Sequence, residues 1–244
     1  MPLRSGVATA AQPTIDDMSA VRMHPDVVLV ERPDGTSWLL HMSANTLRLD
    51  AGSTELLKSI VDRGPDESAR TIAHRFGVDE RDVRADVADF IADLRKQRVL
   101  IVDADTNGGI AERIVERALA LGNGAWSFLF IARVAVALFG WAATIRAWER
   151  RFPQPATPCD DHETLDVIDS VVRHTAARSL LHHECKERGL ACLAMARRAG
   201  IAADLLIGLT YSPLAAHVWV ECGDRIISDL PEHCAPYERV MRYG

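Results

Sequence analysis

Apolar and polar positions along this chain fall into two regimes separated by one short polar stretch. From Val21 to Met42 the apolar residues come in short blocks, VRMH, DVVLVER and TSWLLHM, with Pro33-Asp34-Gly35 between the last two. β-Branched and aromatic runs bounded by turn residues predict a small antiparallel sheet of three strands. From Ser43 the spacing becomes helical. Ser43 is placed to cap a helix carrying Leu47, Leu49, Leu56, Leu57 and Ile60, bent or broken at Gly52. A second helix is predicted over Glu67–Phe76, closed by Gly77. A third runs from Asp79 to about Gln97 with Val83, Val87, Phe90, Ile91 and Leu94 at helical spacing, and Val99–Val102 follows as an extended tail.

The polar stretch DADTNGG, Asp103–Gly109, is the clearest linker. It divides the chain into a disordered N-terminus (1–20), a first domain (21–102), the linker (103–109) and a second domain (110–244). Beyond it, Ile110–Leu121 is amphipathic and Ala125–Ile145 is almost wholly apolar. The second run has the length to span a bilayer. Arg133 and Gly140 interrupt it and Ala outnumbers Leu and Ile, so a buried or partner-facing helix is the favoured reading. Arg146, Arg150 and Arg151 behind it keep peripheral membrane contact open. Pro153–Pro158 ends the helix. Asp161–Leu181 then predicts another, with Leu165, Ile168, Val171 and Val172 facing inward.

Composition narrows the function. With 244 residues, 48% of them hydrophobic, the chain can bury a sizeable core and two small domains. A net charge of -6 argues against nucleic acid as the main partner. The third predicted helix sharpens this, because Asp79, Glu80, Asp82, Asp86, Asp89 and Asp93 outnumber Arg81, Arg84 and Arg95, and such a face repels phosphate. Five cysteines, an odd number without disulfide-framework or CxxC spacing, fit a reducing compartment and a cytoplasmic location. The N-terminal residues lack the apolar core of a secretory signal.

The chemistry concentrates between Cys185 and Asp229. Cys185 opens a predicted helix, where the macrodipole favours a thiolate. Two strands follow, the first opening with His217 and the second ending at Asp229. A three-residue turn of Cys222, Gly223 and Asp224 makes partner numbers sum to 446, so Glu221 faces Arg225, Trp219 faces Ile227 and His217 faces Asp229. A two-residue turn would put His217 and Asp229 on opposite faces. Cys185, His217 and Asp229 are thus the candidate nucleophile, base and orienter. Trp219 and Glu221 read as wall and rim. Cys192 reads as core, and Cys159, Cys222 and Cys234 have no catalytic partner. His182 and His183 are too close in sequence to fold back on the thiol. A zinc set of Cys185, His182 and His217 lacks a fourth ligand, so no metal is expected. The oxyanion hole should use the Cys185 backbone N–H and a second donor.

The order Cys, His, Asp, the C-x-x-R-x-L-A pattern at Cys185, Arg188, Leu190 and Ala191, the pair Ile207-Gly208 and the block Ala216–Glu221 resemble the lasso-peptide B proteins. These are leader peptidases with a transglutaminase-like, papain-related cysteine-protease fold. The resemblance covers roughly Glu163–Tyr243, with Lys186 and Gly189 where the family has Leu and Ser. Over Val21–Val102, the winged-helix-like order and the D-V-x-x-F-I-x-x-L run at Asp86–Leu94 resemble the PqqD-like RiPP recognition element. The implied fold class is α+β, a winged-helix-like PqqD-like domain followed by a transglutaminase-like cysteine peptidase. The first domain is then expected to bind a precursor's leader by β-augmentation at the exposed edge of the third strand, at Trp38 and Leu40, against Ala85, Ala88 and Ala92 of the third helix. The resemblance implies a partner macrolactam synthetase related to asparagine synthetase, and ATP-assisted turnover. No Gly-rich phosphate loop is visible, so nucleotide is assigned to that partner and no cofactor bound directly is expected. A transglutaminase-like acyl transferase and a non-catalytic peptide escort are the alternatives; a DNA-binding regulator is the weakest reading.

Overall fold

The computed structural model describes residues 21–43, 46–102, 108–156, 161–211 and 213–244. The expected disordered N-terminus, most of the linker and Cys159 lie outside them. The chain divides into two compact units, Met1–His41 with Asn45–Asp105, and Met42–Ala44 with Thr106–Gly244.

In the first unit, strands β1 (Val21–Met23), β2 (Val27–Glu31), β3 (Ser37–His41) and β4 (Leu47–Leu49) precede helices α1 (Ala51–Arg63), α2 (Pro65–Phe76) and α3 (Glu80–Lys96), and β5 (Leu100–Val102) follows. The predicted α2 and α3 form where their periodicity and caps place them, with Gly77 left-handed behind α2 and Asp79 accepting from the Arg81 amide ahead of α3. Their apolar stripes, Ala69, Ala73, Val83, Val87, Ile91 and Leu94 among them, close one core with Leu39, Leu57 and Ile60.

The stretch after Ser43 differs from expectation. Leu47 and Leu49 belong to β4, and α1 starts only after Asp50, whose carboxylate accepts from the Ser53 amide at 2.7 Å. Gly52 therefore lies in the first turn of α1 and does not break it. The alternation of Leu47, Arg48 and Leu49 lets Leu49 reach the core while Arg48 sits over the Trp38 ring at 5.6 Å. The predicted three-strand sheet is also rearranged, because β1 pairs with the tail strand β5 and the three-stranded sheet has the order β2-β3-β4.

The second unit holds α4 (Gly108–Leu121), α5 (Ala125–Arg151), α6 (His162–Arg178) and α7 (Cys185–Arg198), then β6 (Asp204–Tyr211), β7 (Leu214–Cys222), β8 (Arg225–Ile227), α8 (Pro231–Cys234) and β9 (Glu238–Tyr243). The sheet is antiparallel in the order β8-β7-β6-β9. Helix α7 is its central support. Leu190, Ala191, Cys192, Leu193, Ala194 and Ala196 are fully buried, and a Cβ at Gly189 would sit 3.3 Å from Val218 Cγ1 and 3.4 Å from Leu205 Cδ1. The small side chains let the helix lie close on β6 and β7.

The apolar helix α5 supports α7. It is long and apolar enough to cross a membrane, yet 56% of its most apolar window is buried within the protein. It kinks at Gly140, where φ is +79°, a conformation glycine adopts without a Cβ clash. Past the kink, Trp148 donates to the Leu190 carbonyl at 2.9 Å and Trp141 to the Tyr243 hydroxyl at 3.1 Å. Arg146 and Arg150 ion-pair with Glu112, so these bases are engaged by α4. Trp126, Phe130, Val134 and Leu138 form an exposed stripe on the other side. Helix α6 ends at Arg178, short of Leu181, because Ser179 is extended. Leu165, Ile168 and Val172 are buried as expected, but Val171 is 41% exposed.

Candidate active site

Cys185 is the first residue of α7 and partly exposed, whereas Cys192, Cys222 and Cys234 are buried. The helix start is held by Glu187, fully buried in the first turn, which accepts from the Glu184 amide at 2.6 Å and lies 3.6 Å from Arg133 of α5. This reciprocal use of the third helical position fixes where the helix begins. Burial pushes the Cys185 thiol above its ordinary value, outweighing the Val218 amide, Arg188 and Lys186, which favour the thiolate. The expectation from the helix N-terminus had the opposite sign. Loss of water around the sulfur is the largest influence on it.

His217 lies inside β7, three residues after its start, opposite Gly208 of β6. The turn after β7 holds two residues, Gly223 and Asp224, with Gly223 left-handed at φ +60°. Partner numbers therefore sum to 447: Val220 pairs with Ile227, Glu221 with Ile226 and Cys222 with Arg225. The expected facing pairs, Glu221 with Arg225 and Trp219 with Ile227, are wrong by one residue. By the alternation of a strand alone, His217 and Asp229 would now point apart.

They meet nonetheless, with His217 Nε2 3.2 Å from Asp229 Oδ2. Strand β8 stops at Ile227 and Ser228 takes φ +75°, which turns Asp229 back toward His217. The turn is anchored from α6, where Asp169 accepts from the Ser228 amide at 2.9 Å. Because β8 pairs with β7 only at 220–222, the margin of β7 around His217 and Val218 stays clear of strand pairing on that side. The Val218 amide there favours the Cys185 thiolate.

Ser228 carries a removable cost. Its left-handed φ is unfavourable for a side chain by about 1 kcal/mol, and its buried hydroxyl has no partner among the described residues. Ser228→Gly relieves both at some cost in unfolded-chain entropy. It is expected to raise the melting temperature by roughly 2–4 °C, about 1 kcal/mol for a domain of this size, with the site intact. A fall in calorimetry would show that the hydroxyl holds the turn.

Asp229 is the hub of the site. Oδ1 accepts from the Leu230 amide at 2.8 Å and lies 2.9 Å from His233 Nδ1, and Oδ2 faces both His217 and Arg188 Nη2, the latter at 3.3 Å. Burial raises its pKa, but His233, the Leu230 amide, Arg188 and His217 together bring it below the usual carboxylate range. His217 moves down as well. Desolvation dominates, and the opposing pull of Asp229 is blunted by Arg188 and His233. The 3.2 Å contact is close but lacks hydrogen-bond alignment. With Nε2 turned to Asp229, Nδ1 is the nitrogen left to take a proton.

Rings wall the imidazole. Trp219 stacks with it at 5.9 Å between centroids and Tyr237 lies tilted at 5.1 Å. Trp219, the expected wall residue, donates to Glu221 at 2.9 Å, and Glu221 in turn holds Arg239. The sequence reading does not assign Arg188, His233, Glu187 or Tyr237 to the site. The i, i+4 spacing of Asp229 and His233 was the available signal for one of them. Among the described residues no cluster of three or more His, Cys, Asp or Glu could hold a metal.

In the first unit, β3 is the central strand, so Trp38 and Leu40 do not lie on a free strand edge as expected. Leu40 is 5% exposed and Trp38 partly buried, while Ala85 and Ala92 are exposed and Ala88 partly so. The fourth strand, unrecognised in sequence, accounts for the difference.

A family model for the transglutaminase-like superfamily matches residues 126–242, and one for coenzyme PQQ synthesis protein D (PqqD) matches 33–100. The chain joins a PqqD domain to a transglutaminase-like domain. Neither the curated proteins nor the solved structures gave a match. The transglutaminase-like domain contains Cys185, His217 and Asp229, and the PqqD domain contains β3 and α3. The α+β class, with its helices and antiparallel sheets in these two domains, agrees with the sequence reading. A PqqD domain beside a transglutaminase-like domain fits binding of a RiPP precursor peptide and a peptidase-like or acyltransferase-like role.

Proposed function

We propose that this protein is a leader peptidase of RiPP maturation, of the lasso-peptide B type. The PqqD domain holds the precursor's leader, and the transglutaminase-like domain cuts the leader/core bond. The contact between His217 and Asp229 carries this reading.

The thiol and imidazole both rest neutral, since the Cys185 pKa is raised and that of His217 lowered. His217 takes the thiol proton as the sulfur attacks the scissile carbonyl. The Cys185 amide, at the first helical position and without an intrahelical acceptor, supplies one oxyanion donor. Collapse of the tetrahedral adduct breaks the C–N bond. The leader stays as a thioester on Cys185 and the core amine leaves with the proton from His217. Water, deprotonated by His217, then hydrolyses the thioester. Asp229 orients the ring throughout, and Arg188 and His233 keep that carboxylate ionised. The freed α-amine suits a macrolactam synthetase related to asparagine synthetase, where any ATP would be consumed. The leader would add at an outer edge of the first unit's sheet, β2 or β4, because β3 is paired on both sides.

A purified precursor mixed with the protein tests the reading by mass. Free leader and core supports it, leader joined to an added amine makes the protein an acyl transferase, and an unchanged precursor makes it an escort.

The pH profile should follow His217. Its folded pKa lies below the unfolded value of roughly 6.5, so the acidic limb of kcat/KM is expected below that of free imidazole. For stability the sign is the same. The contribution is complete above the unfolded pKa and is lost as pH falls through the folded one, because the unfolded chain binds the proton more readily. An acidic limb above roughly 6.5 would contradict the burial argument.

A further inference from the structure

One cavity of the transglutaminase-like domain, about 410 Å³, is lined by Arg173, Arg188, His182 and His183 together with Ser179, two leucines and two alanines. Two guanidinium groups and two imidazoles share this wall, and no carboxylate is among the described residues that line it. Arg173 Nε, Arg188 Nε and His183 Nδ1 are shielded from solvent and without a hydrogen-bond partner among the described residues. The other ends of these side chains are engaged: Arg173 Nη2 with Asp169 at 2.8 Å, Arg188 Nη2 with Asp229 at 3.3 Å and His183 Nε2 with Ser179 Oγ at 3.0 Å. Atoms so shielded do not face the cavity; what its wall offers a ligand is the partly exposed remainder of the Arg173 and Arg188 side chains, with the two histidines.

We infer that this cavity binds a carboxylate of the peptide substrate, an Asp or Glu side chain close in sequence to the cleaved bond. The planar guanidinium groups match a carboxylate in shape and charge, and Leu181, Ala176 and Ala177 suit its methylene stem. Arg188 belongs both to this wall and to the Asp229 hub, and His182 and His183 precede Cys185 by three and two residues. An acidic residue seated here would share Arg188 with the Asp229 hub. The peptide origin of the carboxylate rests on the leader-peptidase reading; its chemistry rests on the donors alone.

The test uses the full chain carrying Cys185→Ser, with N-acetyl-aspartate N-methylamide and its asparagine counterpart as probes, followed by the ring resonances of His183 and by calorimetry. The aspartate probe is expected to shift those resonances, with the asparagine probe inactive at tenfold higher concentration and Arg173→Gln weakening binding at least tenfold. Should Arg173→Gln fail to fold, His183→Leu measured by calorimetry gives the same comparison. Equal responses to the two probes, or unchanged binding in the folded variants, overturn the proposal. Inorganic phosphate acting at lower concentration than the aspartate probe also overturns it, reassigning the cavity to a phosphoryl group. Carboxylate binding without core release by the wild-type protein sinks the peptidase reading alone. Core release without discrimination between the probes sinks this one alone.

Discussion

Cys185→Ser is expected to lower core release by a factor on the order of 10⁴ to 10⁶ while leaving the fold intact, as loss of a nucleophile does when the rest of its site remains. The swap is nearly isosteric, and α7 is held by other groups: Glu187 at its start, Trp148 on the Leu190 carbonyl, and the fully buried run from Leu190 to Ala194. The melting temperature should therefore stay within about 2 °C, less than the shift of a 1 kcal/mol change in a domain of this size. Cys192→Ser is the informative contrast, since that thiol is wholly buried and its replacement puts a hydroxyl into the core. It should lose stability and keep chemistry. Single-turnover mass measurements on both variants decide the matter, and core release by Cys185→Ser at about a tenth of the wild-type rate would remove Cys185 as the nucleophile.

Gly208→Val should damage stability and activity together. A Cβ at Gly208 would lie 2.6 Å from Trp219 Cη2, 2.7 Å from its Cζ3 and 2.7 Å from Tyr237 Cβ, well inside contact distance. Trp219 is 1% exposed and cannot swing away, and β9 already breaks register beside Gly208. Overpacking of this kind costs about 1–3 kcal/mol, and valine adds two methyl groups to the conflict. The rings that must move are the two that wall His217. A displacement near 1 Å at a catalytic base can lower turnover about 10²-fold. Thermal unfolding and kcat measured on one preparation test both halves, and wild-type values for either would mean that the rings repack without moving the imidazole.

Part of the site is legible in the sequence. The start of α7 at Cys185 and the placing of His217 on a strand came from local patterns, whereas Asp229 was reached through a register that the structure shifts by one residue. Local patterns also gave α2 and α3, whose caps and apolar spacing lie within their own residues. Local pattern failed where a partner elsewhere decided the outcome. Leu47–Leu49 reads equally well as a helix start until β3 is there to pair with it. That pairing makes β3 central and moves the available sheet edges to β2 and β4.

The hairpin shows the division most clearly. Sequence alone supplied the candidates for nucleophile, base and orienter, because residue type and order are local facts. It also determined that a glycine would close the turn. Whether that turn held two residues or three, and so whether the alternation of side chains united or parted His217 and Asp229, depended on what the strands packed against. Only the tertiary structure decided it: Asp169, far away in sequence, holds the Ser228 amide where a left-handed turn carries Asp229 back. The protonation of Cys185 was decided in the same way. The field of a helix start can be read from sequence, but desolvation is a property of everything that surrounds the sulfur, and here it is the main cause of the raised pKa.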